Sequence, residues 1–302
     1  MNGEFEILNE FVENIKLDIQ DKENQMDKRL LTIQDISCVG QCSLTVALPI
    51  ISACGIEAGI LPGALLSNHT APGFSGWTFR DLTEEMPSIL ERWKKEHVDF
   101  DAFYTGYVTE PQIPYILEIM KETSRPGALR IVDPAMADNG KLYPGFKDDF
   151  PKKMAELCKD ADYILPNLTE AALLLGKEYV ASGYTKDYII QLSKELHALG
   201  AKNVILTGVS FEAGKLGVSV YNGSDIDFYF TERLNVAMHG TGDVYSSAFA
   251  GALLRGKTAL QAAKIAADFT VESIKQTIPD KDHWYGVKFE KALPELIKAL
   301  EA

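Results

Sequence analysis

The sequence lacks the features that mark several common classes of protein. Its four cysteines, Cys38, Cys42, Cys54 and Cys158, form no C-x-x-C pair and stand beside no histidine cluster. This excludes a disulfide scaffold or a zinc site of ordinary spacing, so we expect reduced thiols in a cytoplasmic protein. The chain has no apolar run of membrane-spanning length, and its net charge of −13 argues against nucleic acid or an anionic membrane as a partner.

The 302 residues have an ordinary globular composition, with 46% hydrophobic and 24% charged side chains. Short apolar runs predict strands at residues 30–36, 100–107, 129–134, 162–167 and 203–208, and a hairpin of 215–223 with 225–234. Helical spacing predicts helices at residues 44–54, after Pro111, and at 169–176, 185–199, 243–255, 258–277 and 288–301. This alternation predicts an α/β fold with a mostly parallel sheet covered by helices on both faces. No repeat or linker interrupts it, so we expect a single domain at residues 30–302.

Residues 1–29 differ from the rest of the chain, because they hold eight acidic and four basic residues. Apolar side chains recur there at spacings of three and four, which predicts a helix with one apolar stripe: Phe5, Leu8, Val12, Ile15 and Ile19. We interpret the segment as an N-terminal extension that docks on the body or on a partner subunit. The alternative is that translation begins at Met26. Neither interpretation gives it chemistry.

Residues 251–258, GALLRGKT, match the G-x-x-x-x-G-K-[ST] pattern of a phosphate-binding P-loop. A P-loop joins a strand to a helix, whereas this stretch continues VYSSAFA, which has no strand-like alternation and is rich in small residues. Gly256 is typical of a helix C-terminus, and Thr258 with Gln261 predicts a capping box for the next helix. We therefore predict a helix–helix turn in which Lys257 binds no phosphate.

A better anion site lies upstream, at residues 240–243, GTGD. Two glycines allow consecutive backbone N–H groups to turn toward one point at the start of a helix, where the helix dipole favours an anion. Asp243, in the first turn, could accept a proton from an attacking hydroxyl. The alternative is a plain helix start without chemistry, since Asp is common there.

Other polar residues follow predicted strands, where ligands of such sheets bind. Asn167 and Glu170 follow the fourth strand and lie one helical turn apart, and an amide with a carboxylate suits Mg²⁺. A capping box would need the same two residue types, so that interpretation stays open. Asp133 ends the third strand, and Asp138 lies in the loop after it. The remaining polar residues at strand ends are Asp35, Tyr107 and Thr207.

NLTE at 167–170 and GTGD at 240–243 resemble the two signature motifs, N-x-x-E and G-x-G-D, of the ribokinase-like superfamily. The resemblance runs from about Leu30 to the C-terminus. Within the superfamily, the sequence is most similar to the pyridoxal/pyridoxamine kinases of vitamin B6 salvage, in IQDISCVGQCSLTVALP (33–49), SNHT (67–70), TGY (105–107) and DPAMAD (133–138). The resemblance implies a three-layer α/β/α sandwich that phosphorylates the 5′-hydroxymethyl group of a B6 vitamer. It also implies a homodimer that uses ATP and Mg²⁺, often with a monovalent cation such as K⁺.

The resemblance further implies a role for each motif residue. Asp243 would be the base that activates the substrate hydroxyl, and Gly240, Thr241 and Gly242 would form the anion hole. Three residues would position Mg²⁺ directly or through water: Asp133, Asn167 and Glu170. Three would line the pyridine pocket: Asp35, Thr70 and Tyr107. Five would cover or flank the nucleotide: Asp138, Tyr143, Thr207, Met238 and His239.

The sequence departs from the family pattern at two positions. Asp35 stands where many pyridoxal kinases have serine, at a position that faces the ring nitrogen and the 3-hydroxyl of the substrate. Our hypothesis is that this carboxylate shifts preference toward a vitamer with a cationic ring. Ala137 replaces the glycine of the family's D-P-V-M-G-D and would stiffen the nucleotide-covering loop. We interpret Cys38 and Cys42 as small packing thiols, with a thiol beside an aldehyde substrate as the alternative.

Other functions stay open. A hydroxymethylpyrimidine kinase of thiamine synthesis shares the Q-D after the first strand and the G-x-G-D loop, although SNHT and TGY argue against it. A pyridoxal-binding protein without turnover could lose Asp243 freely, so the intact motif argues against that function. A sugar kinase would carry an inserted β-lid, which is missing between Ile36 and Asn68, and no G-x-G-x-x-G of a nicotinamide oxidoreductase follows the first strand.

Overall fold

The structure, a computed structural model, describes residues 28–70, 73–236 and 238–301. The helix predicted in the N-terminal extension therefore lies outside the described residues. The described strands are β1 (Arg29–Ser37), β2 (Glu57–Leu66), β3 (Phe79–Asp81), β4 (Phe100–Thr105), β5 (Ser124–Val132), β6 (Ala137–Asp138), β7 (Lys141–Leu142), β8 (Tyr163–Ile164), β9 (Asn203–Val209), β10 (Lys215–Tyr221) and β11 (Ile226–Glu232). The described helices are α1 (Leu44–Ala53), α2 (Met86–Lys95), α3 (Ile113–Glu122), α4 (Phe150–Cys158), α5 (Leu168–Leu174), α6 (Lys186–Ala198), α7 (Thr241–Leu254), α8 (Ala259–Thr277) and α9 (Leu293–Glu301).

Nine of these strands form one sheet, in the order β11-β10-β9-β8-β5-β4-β1-β2-β3. The run from β9 to β2 is parallel throughout, whereas β10, β11 and β3 join antiparallel at the two edges. The chain order reverses at β1, which lies between β2 and β4. Open α/β sheets bind ligands in the crevice at such a point, beyond the carboxyl ends of the strands.

Helices bury both faces of the sheet. On one face, α1, α7, α8 and α9 pack on the strands through residues such as Ile50, Phe249 and Leu296. On the other face, α2 to α6 pack through residues such as Ile116 and Leu192. Each such side chain contributes roughly 1.5–3 kcal/mol when it is fully buried. The predicted three-layer α/β/α sandwich is confirmed. No helix in the described part of the chain is both long and apolar enough to cross a bilayer.

The predicted elements differ from the observed ones mainly at sheet edges and strand ends. The sequence analysis does not predict β2, β3, α2 or α4, and it places β6 and β7 in a loop. The strand expected at 162–167 is reduced to β8, and the helix expected from residue 288 begins only at Leu293. The β10–β11 hairpin and its turn at Asn222-Gly223 are as predicted, with Gly223 at a φ of 94°.

The P-loop-like stretch forms a helix–helix turn, as predicted. Its first residues belong to α7, and Gly256 follows that helix with a φ of 84°. Thr258 and Gln261 form the capping box of α8 through hydrogen bonds of 2.9 and 3.3 Å. The backbone N–H of Lys257 donates to the carbonyl of Ala252 at 3.1 Å, so it closes the helix end instead of facing a phosphate.

Candidate active site

The polar residues predicted at strand ends converge at one edge of the sheet. Asp35 lies near the end of β1, and Tyr107 and Asp133 follow β4 and β5 closely. Asn167 pairs with Thr207 through an isolated parallel bridge. The start of α7 brings Asp243 to the same edge, since the charges of Asp133 and Asp35 both act on its carboxyl.

Ser43 lies between two carboxylates of this edge. Its hydroxyl donates to Oδ1 of Asp35 at 2.6 Å, and the hydroxyl of Ser37 donates to Oδ2 at 3.3 Å. The backbone N–H of Ser43 faces Asp243 and lowers the pKa of that carboxyl. Ser43 holds this place at a φ of 51° and a ψ of −134°, a sparsely populated conformation that costs a non-glycine residue on the order of 1–3 kcal/mol.

Burial dominates the pKa values of these two groups. It raises the pKa of Asp35 despite the two hydroxyl donors. It also raises the pKa of Asp243 to about 7, with further increases from the charges of Asp133 and Asp35. A carboxyl that titrates near neutrality is suited to take up a proton from a substrate hydroxyl.

The start of α7 leaves backbone amides without partners in the helix. Gly240 caps the helix with a φ of 77°, and a Cβ at this position would lie 1.8 Å from the carbonyl oxygen of Gln41. No side chain caps the helix, and its first backbone bond runs from Val244 to the carbonyl of Gly240. The N–H groups of residues 241–243 therefore have no partner in the helix. A Cβ at Gly242 would meet no atom within 4 Å, which leaves room for an anion at the positive end of the helix.

Asp133 is tied to α7 by a hydroxyl. Ser246 donates to Oδ2 of Asp133 at 2.7 Å, and both residues are buried. Burial raises the pKa of Asp133, with the Ser246 hydrogen bond acting in the opposite direction. Because Ser246 lies one turn after Asp243, this bond fixes the start of α7 over the end of β5.

Asn167 and Glu170 form a complete capping box at α5. Oδ1 of Asn167 accepts the N–H groups of Thr169 and Glu170, at 2.8 and 2.9 Å. The carboxylate of Glu170 accepts backbone N–H groups of Asn167 at 2.9 Å and Met136 at 3.1 Å. Burial raises the pKa of Glu170, and the charge of Asp133 raises it further. Both side chains thus bind backbone amides, which favours the water-mediated form of the predicted Mg²⁺ site.

A two-residue turn closes the β6–β7 hairpin over this region. Asn139 and Gly140 have φ values of 51° and 77°, the signature of a type I′ turn. The hairpin is anchored to α5, because Gly140 N–H donates to Oγ1 of Thr169 and Ala137 accepts from Asn167 at 2.8 Å. Asp138 is exposed at its tip. Burial raises the pKa of Tyr143, and so do the charges of Glu170 and Asp138.

Of the three residues predicted to line a pyridine pocket, Asp35 and Tyr107 lie together. Burial raises the pKa of Tyr107, and the charge of Asp35 raises it further, so these two side chains share one environment. Tyr107 also packs on Phe146, with ring centroids 5.2 Å apart. Thr70 is exposed beyond the end of β2. The ring centroid of its neighbour His69 lies 5.3 Å from that of His239, so Thr70 is connected through His69 to the turn before α7.

Three of the predicted nucleotide residues are Thr207, Met238 and His239. Thr207 donates two hydrogen bonds to the carbonyl of Pro166, one from its backbone N–H at 2.9 Å and one from its hydroxyl at 3.4 Å. Met238 is half-buried against the α7 face of the core, and His239 is exposed.

Sequence reasoning misses three residues that organise the site: Gln41, Ser43 and Ser246. Gln41 and Ser43 stand in a loop without regular pattern, and only the structure shows that the loop supports Gly240 and Asp35. Ser246 is noticed only as a small residue of a closely packed helix, whereas its partner Asp133 is 113 residues away.

The residues present fit a polyphosphate with a hard cation. The amides at 241–243 offer an anion cradle in which Gly242 leaves space, and Asp133 and Glu170 are buried oxygen donors. Among residues 28–70, 73–236 and 238–301, no lysine, arginine or histidine forms an ion pair with these carboxylates or with Asp243. The described residues contain no group of three acidic, histidine or cysteine side chains arranged to hold a metal directly, so a cation here would keep water ligands.

The fold and this site are those of a small-molecule kinase, since the switch point of the sheet, a helix start with free amides and a carboxyl of raised pKa coincide. The sequence profile of the phosphomethylpyrimidine kinase family matches residues 91–287. The chain belongs to this family, and the predicted resemblance to the pyridoxal kinases within the ribokinase-like superfamily is confirmed.

Individual relatives agree with the family assignment. A Bacteroides thetaiotaomicron protein described as a phosphomethylpyrimidine kinase, crystallised with pyridoxal, is 36% identical, with a TM-score of 0.84 over 89% of this chain and 96% of its own. Pyridoxal kinase from Lactobacillus plantarum is 29% identical, with a TM-score of 0.83 over 91% and 98%. Pyridoxal kinase from Dictyostelium discoideum is 26% identical over 78% of this chain and 81% of its own.

Proposed function

We propose that this chain transfers the γ-phosphoryl group of ATP to the 5′-hydroxymethyl group of a B6 vitamer: pyridoxal, pyridoxine or pyridoxamine. One observation carries the proposal. Asp243, whose pKa burial raises to about 7, stands in the first turn of the helix whose first amides have no helical partner, and the charge of Asp35 acts on both Asp243 and Tyr107. The relatives named above support the substrate class.

In the proposed mechanism, the carboxylate of Asp243 takes the proton from the substrate hydroxyl as the new O–P bond forms and the bond to ADP breaks. The amides of Gly240, Thr241 and Gly242, of which the last two belong to the set 241–243 without helical partners, hold the charge that develops on the transferred group. Asp35, Thr70 and Tyr107 would hold the ring so that its hydroxymethyl group faces Asp243.

The nucleotide side of the proposal uses the second set of residues. Mg²⁺, when bound with ATP, would neutralise charge on the phosphates. Asp133, Asn167 and Glu170 would hold it through water, and a monovalent cation such as K⁺ is part of the proposal on the resemblance alone. The nucleotide would be covered or flanked by Asp138, Tyr143, Thr207, Met238 and His239.

The proposal is tested by ATP consumption with Mg²⁺ against the three B6 vitamers and hydroxymethylpyrimidine. Turnover on at least one vitamer is the expected result. Turnover on hydroxymethylpyrimidine alone would replace the proposed substrate with that of the second candidate, a pyrimidine kinase like those that give the matched family its name. Pyridoxal bound without any turnover would make the chain a binding protein.

Asp35 gives a prediction about vitamer preference. Its buried carboxylate has hydroxyl donors but forms no ion pair with a basic side chain in the described part of the chain, so a cationic ring would supply the missing charge. We expect Asp35→Ser to lower kcat/KM for the preferred vitamer by about tenfold, the effect of one lost charge-assisted hydrogen bond. Relative kcat/KM values across the vitamers check this, and unchanged ratios would refute the role of Asp35.

Lys257 gives the opposite kind of prediction. The backbone N–H of Lys257 closes a helix end, and alanine keeps that group. We therefore expect Lys257→Ala to change kcat and KM for ATP by less than about twofold, as for an ordinary surface substitution. Steady-state kinetics at varied ATP measure this. A loss of activity as large as that expected on removal of a catalytic lysine would instead support the P-loop interpretation.

The proposal also includes the assembly and location of the protein. A homodimer is proposed from the family resemblance and from exposed apolar side chains at the β2–β3 edge, Leu65, Trp77 and Phe79. A cytoplasmic location is proposed from the four free cysteines. We further propose that residues 30–302 are one domain preceded by a separate extension.

A further inference from the structure

A segment near the C-terminus packs against the loop that supports the anion-binding turn. Gln41, between β1 and α1, is wedged between two glycines that are distant in sequence. A Cβ at Gly240 would lie 1.8 Å from the carbonyl oxygen of Gln41, and a Cβ at Gly286 would lie 2.3 Å from its Cβ and 3.1 Å from its Cα. Neither glycine can gain a side chain unless Gln41 moves.

Two hydrogen bonds hold Gln41 from the C-terminal side. Its backbone N–H donates to the carbonyl of Tyr285 at 3.2 Å, and its Nε2 donates to Oε1 of Glu290 at 2.6 Å. The second bond is exposed, so we expect the backbone bond and the packing on Gly286 to contribute most.

The same short loop continues into the site. Ser43 follows Gln41 by two residues, and its hydroxyl donates to Asp35 at 2.6 Å while its backbone N–H faces Asp243. A shift of residues 285–290 would therefore move Gln41 first, and with it both the anion turn and the residues around the base.

We propose that Tyr285, Gly286 and Glu290 are positioning residues for phosphoryl transfer, because they press Gln41 against Gly240 and so fix the amides of residues 241–243. This inference rests on the proposed function. Donors of this kind act on a transition state only from about 2.7–3.1 Å. A displacement of about 1 Å can therefore cost on the order of 10²-fold in rate without any loss of substrate contacts.

Gly286→Ala tests the inference, since its methyl group must push Gln41 aside. We expect kcat to fall by about 10–100-fold while KM for ATP stays within about threefold. ADP binding gives a second readout that needs no acceptor substrate, because aluminium fluoride mimics the transferred phosphoryl group. Aluminium fluoride should tighten ADP binding in the wild type but not in Gly286→Ala. Gln41→Gly removes the Cβ with which the new methyl group clashes. The double variant Gln41→Gly/Gly286→Ala should therefore keep most of the kcat of Gln41→Gly alone.

Gly214→Ala is a control for positive backbone φ, because Gly214 has a φ of 77°, against 145° at Gly286, and a Cβ there would meet no atom within 4 Å. The Gln41→Gly rescue separates the clash at Gly286 from its larger backbone strain. Gly214→Ala should lose some thermal stability and keep its kcat. The inference would be overturned if Gly286→Ala lost only stability, or if Gln41→Gly failed to restore its rate. Either result would leave the proposed function intact. The wild type could also turn over no vitamer while aluminium fluoride still tightens its ADP binding. That result would overturn only the proposed substrate. A wild type that binds no ADP would contradict both.

Discussion

Asp243→Asn lowers kcat by about 10²–10⁴-fold, the range for loss of a positioned base, while KM for ATP changes little. The asparagine keeps the shape of the side chain at the start of α7 but cannot accept a proton. Steady-state kinetics on the preferred vitamer, with ATP binding measured separately, check both parts. A variant that keeps more than about a tenth of the wild-type kcat would remove Asp243 from the mechanism.

The pH profile of the wild type provides an independent control on the same residue. The pKa of Asp243 is raised by burial, and further by the charges of Asp133 and Asp35, to about 7. Below this pH the carboxyl is protonated and cannot act as a base, so kcat/KM should rise with pH through neutrality and then level off. Asp243→Asn should lack this rise. A wild-type rise centred near pH 4 would show that the carboxyl is not perturbed.

Gly240→Ala is expected to lower kcat by about 10²–10³-fold, comparable to the loss of one donor from an oxyanion hole. Its Cβ would lie 1.8 Å from the carbonyl oxygen of Gln41, so the turn must move and the amides of residues 241–243 with it. Kinetic constants and thermal unfolding of the same samples separate the effect on rate from the effect on stability.

Two other glycines provide controls for this substitution. Gly214 has the same φ of 77° as Gly240 and open space around it, so Gly214→Ala carries the backbone strain, about 1–2 kcal/mol, without the clash. It should keep its kcat. Gly242→Ala should keep its thermal stability, because nothing lies within 4 Å of the added methyl group. Equal losses of kcat in Gly240→Ala and Gly214→Ala would mean that strain alone, not the position of the turn, explains the effect.

The buried strands and the amphipathic helices can be predicted from the sequence because their patterns are local. β2 cannot, since Gly59, Pro62 and Gly63 interrupt its apolar run. The structure shows the reason: a Cβ at Gly59 would lie 2.8 Å from the ring of Phe100, and one at Gly63 would lie 2.8 Å from the side chain of Gln112. These glycines are set by neighbours that are distant in sequence, and Pro62 lies at an irregularity in the pairing with β1.

The site shows the same division between local and distant causes. The placement of Asp35, Asp133 and Asp243 at strand and helix ends follows from the alternation of elements. The hydroxyls that hold Asp35 and Asp133, from Ser43 and Ser246, depend on how α1 and α7 pack, and no motif marks them. For N-x-x-E, both interpretations of the pattern were available, and the structure shows the capping box in full.

The carboxylates of the site also indicate a conflict between stability and function. Asp35, Asp133, Glu170 and Asp243 all have pKa values raised by burial, so each is destabilising when ionised. A fold selected only for stability would not group them at one sheet edge. Their arrangement is consistent with a site completed by cationic and phosphate-bearing ligands.

The most direct test of the central claim follows the γ-phosphoryl group itself. ATP labelled at the γ-phosphate is incubated with the wild type, Mg²⁺ and pyridoxal, and the products are identified by ³¹P NMR and mass spectrometry, with Asp243→Asn in parallel. The account predicts that the label is found on the 5′-oxygen of pyridoxal in the wild type and remains in ATP in the variant. Label released only as inorganic phosphate, or unconsumed ATP with pyridoxal bound, would contradict it.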